Sequence, residues 1–287
     1  MSPPLKAGDV FLARGTGLKR VLVGVGLCVV LVGCSAAGPV LRPYKRNYMG
    51  YSYNISPNDT TAAPENNRSE LQIQVSVRQD IPIPYLENKN RIALAYTNLS
   101  YWQLFIDSAP FRTTNHEPEL FYERDLFSFH KLRFGVIHQS NGEDGTASRG
   151  WNRVFAEYVY ASDGWENPPD IPSNRWRLSG NRWRFSGKLW RHFLEDRKNN
   201  GDIDDFMGFG ELTGEYSWGC CGTPQVGLIL RNHLRFRGEN RGAVEAHASA
   251  GGGGFRVFVQ YFYGFGESIL DYNHRANRFT AGIEMTR

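Results

Sequence analysis

Apolar and polar residues alternate with a period of two along much of the chain after residue 45. The clearest case lies between residues 71 and 78, where the apolar residues Leu71, Ile73, Val75 and Val77 alternate with the polar residues Gln72, Gln74, Ser76 and Arg78. Successive side chains of a β-strand point to opposite faces, so this pattern predicts a strand with one apolar and one polar face. The segment 254–264 alternates less well, because it places two phenylalanines on the same face as Arg256 and Gln260.

Twelve such strand segments are predicted, with turn-forming residues between them. They lie near residues 45–55, 70–82, 91–106, 116–124, 131–139, 151–162, 180–192, 205–217, 223–235, 241–250, 254–264 and 277–286. Single-chain bacterial outer-membrane barrels have an even number of antiparallel strands. The sequence therefore predicts an all-β fold, a 12-stranded antiparallel transmembrane β-barrel. A soluble β-sandwich would show the same period, and periodicity alone leaves that alternative open.

The even strand count also predicts which connections face outside. If both chain ends lie on the periplasmic side, every connection after an odd-numbered segment is extracellular. The predicted outside connections are residues 56–69, 107–115, 140–150, 193–204, 236–240 and 265–276, of which 236–240 is short.

Composition narrows the possible classes of protein. Of the 287 residues, 14% are aromatic and 31 are glycine, which is typical of strands with aromatic girdles at the membrane interfaces. No apolar run after residue 40 is long enough for a membrane helix. The net charge is only +4, and no run of lysine or arginine follows residue 50. A nucleic-acid partner is therefore not predicted.

The N-terminal segment has the pattern of an export signal. Lys19 and Arg20 precede an apolar stretch at residues 21–32, and a lipoprotein-type cleavage box then ends at Cys34. We predict a signal peptide at 1–33, a tether at 34–44 and a barrel at 45–287, with Cys34 as the acylated residue. An ordinary signal peptide that contains a cysteine is the alternative. Cys220 and Cys221 are adjacent, and adjacent residues lie too close together for a mutual disulfide. The pair could be structural or reactive residues of a turn, and the sequence leaves both roles open.

A strand near 131–139 ends in residues that could perform acyl transfer. Residues two apart share a face of a strand, so His138 and Ser140 point the same way. A serine becomes a nucleophile when a base takes its proton and a third group holds the base. His138, Ser140 and Asn152 could supply these three parts. Because Phe134 and Val136 share their face, the sequence predicts that the group lies on the apolar outside of the barrel.

These residues form part of a larger set of motifs. Residues 138–142 read His-Gln-Ser-Asn-Gly, residues 148–153 read Ser-Arg-Gly-Trp-Asn-Arg, and His138 precedes Asn152 by fourteen positions. With further blocks at 108–118, 202–208 and 263–273, this pattern resembles outer-membrane phospholipase A, the calcium-dependent lipase barrel of Gram-negative bacteria. The resemblance runs from about Pro43 to Met285.

The resemblance implies calcium-dependent hydrolysis of acyl esters of glycerophospholipids in the outer membrane. The expected activity is that of a phospholipase A1 and A2 that also has lysophospholipase character. The triad would be His138, Ser140 and Asn152, with Gly142 as the oxyanion donor. The implied Ca²⁺ ligands are the Ser148 hydroxyl, the Glu143 carbonyl and the Ser108 hydroxyl of a neighbouring subunit, so that the active form would be a homodimer. A non-enzymatic outer-membrane barrel, either a pore or a structural lipoprotein, is the alternative.

Three positions depart from the family pattern. Glu143 replaces an arginine, which reverses the local charge while leaving the backbone carbonyl in place. Asn199 replaces the aspartate expected for a second calcium position, which leaves the existence of a second site open. Asn98 replaces a glutamine of the dimer contact, which leaves the strength of the dimer open.

Overall fold

A computed structural model describes the chain at residues 41–56, 68–84, 86, 89–162, 165, 181–193, 199–219, 224–232, 241–252 and 254–285. The predicted signal peptide, Cys34, and the Cys220 and Cys221 pair lie outside these residues. Within the described ranges, no helix is long and apolar enough to cross a membrane.

Thirteen antiparallel strands make up one sheet in the described residues. The bounds are β1 Arg42–Pro43, β2 Tyr48–Asn54, β3 Ser69–Ile81, β4 Asn90–Gln103, β5 Phe111–Phe127, β6 His130–Ser140, β7 Gly150–Ala161, β8 Arg182–His192, β9 Gly210–Ser217, β10 Gln225–Asn232, β11 Ala243–Gly252, β12 Phe255–Gly264 and β13 Ala276–Met285. Strands β2 to β13 pair in chain order, and β13 pairs with β2. These twelve strands close a barrel, which confirms the predicted fold class, and the soluble-sandwich alternative is wrong.

The side chains alternate between the lumen and the outside, as the sequence pattern predicts. On β3, Gln72, Ser76 and Arg78 are buried, whereas Val75 is exposed. The irregular pattern of β12 has a specific cause. Its inward-facing Phe258 packs against the ring of Tyr48 and under the guanidinium of Arg46.

Three predicted strand starts differ clearly from the structure. Strand β5 begins at residue 111 instead of 116, and a register shift at Tyr101 and Trp102 accommodates the longer hairpin. The segment predicted as 205–217 begins with helix α1, Asp204–Met207, and becomes β9 only at residue 210. Gly208 separates the two elements with φ +69°, a backbone conformation that favours glycine. The segment predicted to start at 45 forms a strand only from residue 48.

The lumen is filled with ion pairs and with residues that precede β2. Arg133 donates to Glu123 at 2.6 Å and to Glu157 at 3.3 Å, and Lys188 donates to Glu119 at 3.2 Å. The side chains of residues 44–46 reach partners on distant strands from inside the barrel. The lumen side chains leave a cavity of about 240 Å³, which is lined in part by arginine, lysine and glutamate. Buried charges require such partners, because an unpaired charge away from water is costly.

Candidate active site

The candidate site lies at the loop end of the hairpin formed by β6 and β7. Antiparallel pairing places His138 directly opposite Asn152, and Ser140 directly opposite Gly150. The His138 Nδ1 atom lies 2.9 Å from the Asn152 Oδ1 atom. A carbonyl oxygen only accepts, so Nδ1 carries the proton and donates it to Asn152. The Nε2 lone pair of His138 is then available to accept a proton.

Gly150 leaves room between the histidine and the serine. A Cβ atom built on Gly150 would lie 3.5 Å from Ser140 Cβ and 3.9 Å from His138 Cε1. The two side chains therefore border the same small space on the outer face of the sheet. A hydroxyl beside an imidazole that a third group orients is the arrangement that nucleophilic catalysis uses.

The outward direction of this face is clear from the exposure of neighbouring residues. Phe134 and Val136 are 49% and 41% exposed. The next residue of the strand, Ile137, points to the opposite face and is 2% exposed. His138 is exposed, and Ser140 is half-buried. The site thus lies on the apolar outside of the barrel and not in its lumen.

Asn141 organises the loop between the two strands. Its side chain donates to the Ala147 carbonyl at 2.8 Å and accepts from the Arg149 N–H at 2.9 Å. Gly142 follows with φ +71°. The buried amide of Asn141 thereby closes the loop that contains Gly142.

A second loop supports this one. Asn200, which is buried, donates to the Gly150 carbonyl at 3.0 Å and accepts from the Gly150 N–H at 3.4 Å. Asn199 donates to the Gly145 carbonyl at 2.9 Å. Nearby, burial and the hydrogen bond to Asp202 raise the pKa of Tyr272, which keeps its hydroxyl a donor. The loop after β8 therefore holds the start of β7 from the side.

The predicted calcium ligands lie on two loops. Glu143 and Ser148 belong to the loop after β6, and Glu143 is exposed while Ser148 is half-buried. Within the part of the chain that the structure describes, no donor contacts the Glu143 carbonyl oxygen or the Ser148 hydroxyl. These free oxygens fit a hard cation, which takes oxygen ligands. Ser108 lies apart, exposed in the loop after β4, with φ +62°.

His116 is a neighbour of the site that the sequence motifs do not single out. Strand β5 places His116 directly across from Ser140, on the side opposite Gly150. Its position inside the block at 108–118 was the available signal. The pairing register was needed to show the contact, since 24 residues separate the two positions.

The chain matches known phospholipases over most of its length. The sequence model of the family described as Phospholipase A1 matches residues 35–285. The chain belongs to the phospholipase A1 family. This is a family of enzymes, as the resemblance predicts. A putative phospholipase A1 of Neisseria meningitidis serogroup B is 31% identical over 253 residues, which cover 80% of this chain and 61% of that protein. The phospholipase A1 of Proteus vulgaris is 27% identical over 272 residues, 85% of this chain and 80% of that protein.

Solved structures show the same barrel. The outer membrane phospholipase A of Escherichia coli superposes with a TM-score of 0.71 at 23% identity, covering 91% of this chain and 96% of that one. A Salmonella typhi outer membrane phospholipase dimer with bound calcium gives a TM-score of 0.70, covering 86% and 92%. The phospholipase A1 family member described here therefore shares the β-barrel fold of these proteins.

Proposed function

We propose that the protein hydrolyses acyl ester bonds of glycerophospholipids at either acyl position, and of lysophospholipids. The observation that most supports this function is the His138–Asn152 hydrogen bond beside Ser140 on the outward face of the barrel. A substrate that is itself a membrane lipid can reach such a site sideways from the outer leaflet. The pore alternative has less support, because ion pairs cross the described lumen.

In the proposed mechanism, the Ser140 hydroxyl attacks the ester carbonyl and His138 Nε2 takes its proton. Asn152 holds the imidazole through Nδ1 and fixes the tautomer that leaves Nε2 as the acceptor. The Gly142 N–H donates to the oxygen that becomes negative. His138 then gives the proton to the leaving alcohol, and water releases the fatty acid in the reverse sequence.

Calcium would be held by the Ser148 hydroxyl and the Glu143 carbonyl, which have oxygens free to bind it. The Ser108 hydroxyl of a second copy would complete the site, and activity would then require a homodimer. When bound, the ion would supply a polarised water near the developing negative charge. The proposal covers this one calcium position; the nearby Asn199 side chain donates to the Gly145 carbonyl.

We also propose that residues 1–33 are an export signal and that Cys34 is acylated after cleavage. Mass spectrometry of the N-terminal peptide of the protein from outer membranes would measure this directly. An unmodified peptide that lacks Cys34 would show cleavage by the ordinary signal route.

The decisive experiment measures fatty-acid release from phospholipid micelles by purified, folded protein. Ser140→Ala and His138→Ala should abolish release while the barrel still shows heat-modifiable gel migration. His130→Ala is the matched control, because His130 lies on β6 at the other end of the strand. It should leave activity near the wild-type level. Chelation of calcium should lower wild-type activity, and added calcium should restore it.

The two parts of the proposal fail separately. Full activity of Ser140→Ala would rule out the serine mechanism. Activity that is lost in Ser140→Ala but unchanged by chelator would retain the triad and remove calcium from the reaction.

A further inference from the structure

A row of polar side chains crosses the outer face of the barrel at the level of Ser140. Strand pairing places Asn98 opposite His116, and His116 opposite Ser140. The surrounding outer face is apolar, with Leu120, Phe134 and Val136 exposed. Polar groups on a lipid-facing surface are costly, so a histidine in this position requires a specific reason.

Hydrogen bonds fix the orientation of the His116 ring. The Tyr96 hydroxyl lies 2.7 Å from His116 Nδ1, and the Asn98 amide donates to the same atom at 3.4 Å. The Asn98 carbonyl accepts from the Ser100 hydroxyl at 2.9 Å, which turns the amide NH₂ group towards His116. An amide NH₂ group only donates, so with Asn98 in this orientation Nδ1 is the acceptor and the ring proton lies on Nε2.

The Nε2 edge of His116 faces the turn that follows Ser140. A Cβ atom built on Gly142 would lie 3.7 Å from both Cδ2 and Nε2 of His116. Among the described residues, Nε2 has no hydrogen-bond partner. A directed N–H donor therefore points to the region between Ser140 and Gly142, where the proposed function places the substrate carbonyl.

We propose that His116 is a further catalytic residue, which donates its Nε2–H to the carbonyl oxygen of the scissile acyl ester. This inference rests on the proposed function. As the bond from Ser140 to the carbonyl carbon forms, the π electron pair moves onto the oxygen, and His138 holds the serine proton. His116 and the Gly142 N–H stabilise the resulting oxyanion without transferring a proton. When the ester C–O bond breaks, His138 protonates the leaving alcohol.

Two variants of His116 separate the donor from the ring. His116→Phe keeps a planar ring but has no N–H, and His116→Gln carries an amide NH₂ near the position of Nε2. Each is assayed on phospholipid micelles and on a long-chain p-nitrophenyl ester, which has no phosphate. Loss of an oxyanion donor typically lowers kcat about 10²- to 10³-fold, and a half-buried donor should contribute at least about tenfold.

The expected result is that His116→Phe lowers kcat by about tenfold or more on both substrates. His116→Gln should recover part of that loss, and His130→Phe, a change at the other end of β6, should leave kcat unchanged. Heat-modifiable migration verifies that each variant is folded.

Three results would overturn the proposal. Wild-type kcat in folded His116→Phe, with Ser140→Ala inactive, would reject the role of His116 and leave the proposed function intact. A loss confined to phospholipid would show that His116 binds the phosphate headgroup instead. Loss of folding in both variants would assign His116 to stability. Activity of Ser140→Ala would refute the proposed function itself, whatever His116 does.

Discussion

Gly150 is the residue that sets the space between the proposed nucleophile and its base. A methyl group at this position would make ordinary contacts with Ser140 Cβ at 3.5 Å and His138 Cε1 at 3.9 Å. Gly150→Ala should therefore fold, and it should be as stable as the wild type or more stable by about 0.5 kcal/mol, because alanine restricts the unfolded chain. The methyl group would occupy the space that the serine hydroxyl shares with the imidazole. We expect a fall in kcat of about tenfold or more, since small misplacements of reacting groups are costly.

The matched control for this prediction is Gly214→Ala. Gly214 lies on β9, where an added Cβ would lie 3.5 Å from the Phe185 ring, a comparable contact on the outer face away from the site. It should change neither kcat nor the denaturation midpoint by much. Unchanged kcat in Gly150→Ala would show that the serine and histidine do not meet across this space.

Individual site residues differ in how far the sequence could place them. His138 and Asn152 lie on adjacent strands of one hairpin, so their spacing directly indicates their pairing. His116 and Ser140 also lie on adjacent strands, but a register shift between Asp125 and Phe127 intervenes. A shift of one residue moves a side chain to the other face, so the sequence alone could not establish that contact.

The loop after β8 supports the β6–β7 hairpin through two neighbouring asparagines that differ in burial. Asn200 is buried and bonds both backbone groups of Gly150, whereas Asn199 is exposed and bonds one carbonyl. Asn200→Ala leaves buried polar groups without partners, which costs about 1–3 kcal/mol. We expect a lower free energy of unfolding in urea and a lower kcat, because the start of β7 loses its lateral support.

Asn199→Ala is the matched control, and it should lower the free energy of unfolding by less than about 0.5 kcal/mol. Its expected effect is instead weaker calcium binding, because Gly145 lies in the same loop as Glu143 and Ser148. The calcium concentration for half-maximal activity should therefore rise. Equal stability losses in the two variants would contradict the assignment of Asn200 as the structural partner of β7.

At the level of elements, the alternation of apolar and polar residues predicts where the strands lie, but it predicts their first and last residues less well. Strand β3 follows the alternation closely, because one of its faces meets the outside and the other meets a polar lumen. Helix α1 was not predicted. Its position depends on tertiary contacts, among them the 2.5 Å contact of His192 Nδ1 with the Asp204 carboxylate and the burial of Met207. The start of β2 was placed too early, because residues 44–46 look strand-like but turn into the lumen.

Over the whole molecule, the barrel has a polar interior crossed by ion pairs and an outer face that carries the proposed site. The lumen pairs buried carboxylates with arginine and lysine from several strands, which ties distant parts of the sheet together. The proposed site uses the opposite face of the same strands. Arg153 illustrates the arrangement, since it points inward to Glu117 at 2.7 Å while the adjacent Asn152 points outward to His138.

The interior network predicts a large difference between two nearby arginines. Arg46 is buried, with its side chain 9% exposed, and it bonds Glu284 at 2.9 Å and Gln260 at 2.7 Å. Arg46→Met leaves the buried Glu284 carboxylate with less compensation, and removal of one partner of a buried pair costs about 3–5 kcal/mol. Arg42, 62% exposed and 3.8 Å from Asp80, is the control. Arg42→Met should change the free energy of unfolding by less than about 1 kcal/mol. Urea unfolding of both variants in lipid vesicles measures the difference, and similar small losses would show that the segment before β2 does not stabilise the barrel from within.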